Sequence, residues 1–149
     1  MRFGRYVLHV AIATVGGLIF AFFGSSVFSG GAVFNEPVWS AAIIGGAVLG
    51  FLVNRRFRDG YAALAWVIPL VWVVYGVFDE AHHFSHAWSQ QTLLGDLWDN
   101  FFGADCGGSE CLYELLFSAP FLSSLAYSLS ALLVLRSKSF NKEEEARTS

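Results

Sequence analysis

Four apolar stretches, at residues 6–28, 37–53, 61–78 and 112–135, alternate along the chain with five polar segments. Each falls within the roughly 17 to 25 residues that a helix needs to cross about 30 Å of hydrocarbon. The pattern predicts an all-α membrane protein, a four-transmembrane-helix bundle forming one domain over residues 1–136. Two polar pieces fall outside the spans: a long loop at 79–111 and a tail at 137–149. The tail has too little apolar surface to fold alone and is expected to be disordered.

Charge then orients the bundle. The nine basic residues flank only three of the polar segments: Arg2 and Arg5; Arg55, Arg56 and Arg58; Arg136, Lys138, Lys142 and Arg147. Retention of basic loops in the cytoplasm predicts N-in/C-in topology. The loop at 79–111 is then the outer loop, facing the periplasm or exterior of a cell inner or plasma membrane. It carries Asp79, Glu80, Asp96, Asp99, Asp105 and Glu110, which disfavours nucleic acid as a partner on that side. Composition agrees with this class, since 14% charged residues and a mean hydropathy of +0.52 contrast with about 25% charged residues in an average soluble domain.

Small residues recur at four-residue spacing in the first two spans: Ala13, Gly17 and Ala21 in one, Ala42, Gly46 and Gly50 in the other. Such stripes let helix backbones approach closely, and the two spans are expected to pack on each other. The first span begins like a signal peptide, but its apolar run exceeds the 7 to 15 residues of a cleavable one, so an uncleaved anchor is expected. Pro69 should kink the third span. The fourth contains Pro120 and a run of serines, Ser118, Ser123, Ser124, Ser128 and Ser130, whose hydroxyls either return to their own helix or bond a neighbour, the former being the expectation.

The outer loop is more than a linker. Leu94, Leu97, Trp98, Phe101 and Phe102 share one helical face, with Gly103 placed for a C-cap. This predicts a short interfacial amphipathic helix, lying along the membrane or docking on a partner subunit. Ahead of it stands D-E-A-H-H-F-S-H. If the third span continues as a helix, Asp79, His82, His83 and His86 share an arc of about 100°, a ligand set suited to zinc, copper or iron. The bland reading is three solvated histidines that respond, at most, to external pH. Cys106 and Cys111, in C-G-G-S-E-C, are expected to form a disulfide in an oxidising compartment. A thiol redox pair is a weaker reading, because the chain has two cysteines and no second pair.

Glu114 is an intramembrane acid near the outer end of the fourth span, and His9 is shallow in the first span at the opposite end. Two such distant groups are thin support for an ion or proton transporter. There is no phosphate-binding glycine loop, nucleophile elbow or H-E-x-x-H sequence. The leading expectation is a small, non-catalytic integral membrane protein of structural or accessory role. Its partners are the lipid bilayer and, laterally, itself or other membrane-protein subunits. The alternative is an outer-face metal-binding or metal-handling protein.

Overall fold

The structure, a computed structural model, describes residues 2–28, 38–57, 59–84, 95 and 114–148. Among them are four α-helices: α1 (Arg2–Phe28), α2 (Val38–Phe57), α3 (Val67–Phe84) and α4 (Ala119–Thr148). A 3-10 turn at Gly60–Leu64 precedes α3, and a π turn at Glu114–Ser118 precedes α4. No described residue is in a strand. Three stretches are long and apolar enough to cross a bilayer: Phe3–Phe23, Gly60–Asp79 and Leu115–Ser137. Helix α2, whose last turn carries Asn54, Arg55 and Arg56, is not among them.

The distribution of side chains inverts that of a water-soluble bundle. Fully buried positions are small or polar, such as Ala13, Ala21, Ala42, Ala119, Ser123 and Ser124, while Phe23, Val71, Phe78 and Leu133 are 63 to 72% exposed. In water, so much large apolar surface would be an aggregation hazard. In hydrocarbon it costs nothing, and helices associate instead through close backbone approach and hydrogen bonds. The fold therefore fits a membrane protein.

Helices α1, α2 and α4 form the tight part of the bundle. A Cβ on Gly17 would meet the Ser123 side chain, one on Gly46 the Ser123 backbone, and one on Gly50 the Tyr127 backbone. Both small-residue stripes thus face α4. The α1 and α2 helices do pack together, but through neighbouring positions: Gly16 lies against Leu49, and Gly45 against Phe20. The serines of α4 explain the difference. Ser123 donates its hydroxyl to the Ala13 carbonyl (2.8 Å) and Ser128 to the Ala62 carbonyl (2.9 Å), so α4 gains hydrogen bonds by sitting where backbones are bare. Only Ser124 shows the self-satisfied arrangement expected of the run, bonding Phe121 O at 2.8 Å.

Helix α3 is attached at one edge. Gly76 lies against the ring of Phe117, and Trp72 stacks on Phe117 with centroids 5.2 Å apart. The indole N–H of Trp72 donates to the Leu116 carbonyl at 3.1 Å. Leu116 is four residues before Pro120, which has no N–H to offer that carbonyl. The indole therefore satisfies an acceptor that the proline leaves open.

Two expectations are corrected. The third span does not start as an α-helix at Tyr61, and Pro69 does not kink its middle: the segment opens with the 3-10 turn, breaks at Ala65–Trp66, and places Pro69 in the first turn of α3. There its missing N–H has no intrahelical partner to lose, and the next amide, Leu70 N, bonds Trp66 O at 3.0 Å. Helix α3 runs on to Phe84, the continuation that a shared face for Asp79, His82 and His83 requires. Helix α4 runs to Thr148, through the stretch at 137–148 where the sequence leads one to expect disorder. A span that is already helical needs only propagation to extend, and Lys138, Lys142, Glu143, Glu144, Glu145 and Ala146 are good helix formers. The interfacial-helix residues Leu94, Leu97, Trp98, Phe101 and Phe102, and the cysteines Cys106 and Cys111, lie outside the described residues.

Candidate functional site

At the end of the bundle that carries Arg5, Arg55 and Arg56, five polar side chains from four elements converge. Arg5 and His9 are one turn apart on α1, so they share a face. Asn54 comes from the last turns of α2 and Tyr127 from α4. Asp59 lies just before the 3-10 turn and caps it, its Oδ1 accepting from Tyr61 N at 3.1 Å. The Asp59 backbone carbonyl also accepts from Ala62 N at 3.2 Å. The aspartate is thus fixed by local turn chemistry before it meets any charge.

His9 is the centre of the cluster. It is 4% exposed, with Nδ1 2.7 Å from the Tyr127 hydroxyl and Nε2 3.8 Å from Asp59 Oδ2. A carboxylate on the Nε2 side favours the tautomer with its proton there, which leaves Nδ1 to accept from the tyrosine O–H. Arg5 Nη1 is 3.9 Å from the same Oδ2. The fully buried Asn54 donates to Gly50 O at 2.8 Å on its own helix and lies beside Tyr127. Its Oδ1 is buried without a hydrogen-bond partner, as is Ser118 Oγ. Buried acceptors of this kind are rare enough to mark places where a donor from outside the chain would be stabilised.

The cluster borders a cavity of about 250 Å³ between α1 and α2. Arg5, His9 and Asp59 form its polar wall, and Leu8, Ile12, Val53 and Phe57 its apolar one. Chemically, the site presents a cation, an anion and an imidazole to one small amphipathic space.

In the sequence His9 stands as an isolated group, and Asp59, Asn54 and Tyr127 carry no sign of a role at the site. No spacing in the sequence pairs them: His9 lies about one turn from Arg5, whereas Tyr127 lies about two and a half turns from Arg136. Among the predicted sites, the packing positions Ala13, Gly17, Ala21, Ala42, Gly46 and Gly50 are all buried in the bundle. Asp79, His82 and His83 all fall within α3, the condition set for a shared face, while His86 lies outside the described residues. Among the described residues, no three His, Cys, Asp or Glu side chains are grouped to hold a metal ion. Glu114 begins the π turn, on the far side of α4 from the His9 cluster along the helix axis. The chain matches no protein-family model, no curated protein and no solved structure with which it was compared.

Proposed function

We propose that the chain is a four-span integral membrane protein, N-in and C-in, with a non-catalytic accessory role, and that it packs laterally through α3 on another membrane protein or a second copy of itself. The observation that carries this reading is the uneven attachment of the helices. Helices α1, α2 and α4 interlock through glycines and interhelical hydrogen bonds, whereas α3 touches them along the Trp72 and Gly76 edge. Away from that edge, α3 presents a shallow apolar groove of about 420 Å³ lined by Val67, Ile68, Val71, Trp72 and Tyr75. The buried polar groups support a structural role, since Ser123, Ser128, Asp59 and Tyr127 each join or cap elements of the bundle.

A photo-activatable residue at Val71, tested in native membranes, checks the lateral contact. A discrete protein adduct from Val71, absent from the equally exposed Leu133 on α4, is expected. Lipid adducts alone at both positions would remove the reading.

A second reading, metal handling by Asp79, His82, His83 and His86, is favoured by the continuation of α3 to Phe84. Its test is elemental analysis of purified protein: zinc, copper or iron retained near one equivalent and lost on His82→Ala would establish it, and metal-free protein would dismiss it.

A further inference from the structure

We propose that the cavity between α1 and α2 at the arginine-bearing end holds the headgroup of an aminophospholipid, its phosphate on Arg5 and its primary ammonium on Asp59. The inference rests on the membrane reading, because it needs this end of the bundle to lie at headgroup depth.

The Asp59 carboxylate is only half used by the protein. Oδ1 accepts from Tyr61 N, but Oδ2 stands 3.8 Å from His9 Nε2 and 3.9 Å from Arg5 Nη1. Both separations exceed the roughly 3.2 Å limit of a good N–H···O hydrogen bond. Oδ2 is thus held by two long ion-pair contacts and no short one, on a side chain that lines the cavity and is 13% exposed. A primary ammonium, with three donors, is the lipid group that matches it.

Arg5 supplies the complementary charge. Its side chain is 72% exposed and held by one long contact, so its planar fork of donors can turn to meet a phosphate. Below these charges the cavity wall becomes Leu8, Ile12 and Val53, in the order of a phospholipid: charged head, then hydrocarbon. Both Arg5 and Asp59 lie at the ends of apolar stretches, Phe3–Phe23 and Gly60–Asp79, where a bilayer's headgroups would be.

The pairing also selects among lipids. A headgroup that is only anionic would meet Arg5 but bring no donor to Asp59, whose charge would repel it. A trimethylammonium headgroup has the positive charge but no N–H to donate. Only an amine-bearing headgroup uses both walls. Basic pockets between membrane helices are known generally to hold lipid heads. Here the acidic wall changes which head fits.

The test uses full-length protein extracted from the membrane fraction in mild detergent. It is offered phosphatidylethanolamine, phosphatidylglycerol and phosphatidylcholine at equal concentration, and bound lipid is read by native mass spectrometry. Retention of the ethanolamine lipid about tenfold above the other two is expected, a selectivity within reach of one charge-assisted contact. Asp59→Asn keeps a side-chain oxygen for the cap and should abolish the selectivity. Arg5→Gln, on an exposed side chain that the bundle does not need for packing, should weaken retention of the ethanolamine lipid. Equal retention of all three lipids, preference for the glycerol lipid, or an unchanged profile in Asp59→Asn would each overturn the proposal. Recovery in the membrane fraction is scored separately, so a membrane protein without lipid selectivity refutes this inference alone.

Discussion

The Nδ1 atom of His9 and the hydroxyl of Tyr127 stand 2.7 Å apart, joining α1 to α4 between two buried side chains. In hydrocarbon such a bond matters more for specificity than for raw stability, because each group would otherwise search for another partner. It fixes which face of α4 meets α1, and with it the placing of Ser123 on Ala13.

Tyr127→Phe keeps the ring and removes the hydroxyl. It is expected to destabilise the bundle by about 1 kcal/mol, and His9→Ala by somewhat more through the added loss of packing. Unfolding in detergent by graded denaturant measures both. In the double mutant the losses should fall short of their sum by roughly 0.5 to 1 kcal/mol; simple additivity would show that the two side chains do not interact.

Gly46 and Gly50 are expected to tolerate no side chain. A Cβ on Gly46 would enter the space of the Ser123 carbonyl, and one on Gly50 that of the Tyr127 backbone. Rigid backbone cannot swing aside as a side-chain tip would, so Gly46→Ala should cost about 1 to 3 kcal/mol. Gly4, with nothing near its missing Cβ, is the control: Gly4→Ala should be neutral or slightly stabilising, as expected for alanine in an exposed helix. Equal thermal midpoints for the two variants would contradict the packing described.

Trp72 and Pro120 are expected to be coupled although they belong to different helices. Trp72→Phe removes the donor to Leu116 O, leaving the carbonyl that Pro120 cannot serve. Pro120→Ala restores an N–H four residues along. The cost of Trp72→Phe, about 1 kcal/mol in the native background, should therefore shrink when Pro120→Ala is present. An unchanged cost would mean that stacking on Phe117 and Tyr75, not the hydrogen bond, accounts for the effect.

Much of the helical layout was legible because hydrophobic run length reports directly on the solvent a segment prefers. Stripe residues such as Gly46 and Gly50 were legible as packing positions, but not their partner: spacing along one helix cannot say which neighbour offers the hydrogen bonds that make close approach worthwhile. In the tail, low hydrophobicity argues for disorder, whereas a helix continuing from a span needs no core of its own. Pro69 was misjudged by position, since a proline within a predicted span and one in the first turn of a shorter helix look alike in sequence. The polar site was the least visible. His9, Asn54, Asp59 and Tyr127 come from four elements, and only the packing of α1, α2 and the 3-10 turn around α4 brings them together.

The most direct test of the account is the sidedness of Gly60 and His82, at opposite ends of the apolar stretch leading through α3. Gly60 is exposed with no atom within 4 Å of a built Cβ, and His82 is exposed near the end of α3. With Cys106 and Cys111 replaced by serine, Gly60→Cys and His82→Cys are each treated in intact cells with a membrane-impermeant maleimide. The account predicts that His82→Cys is labelled at once and that Gly60→Cys is labelled only after permeabilisation. Labelling of both from outside, or of Gly60→Cys alone, would contradict it.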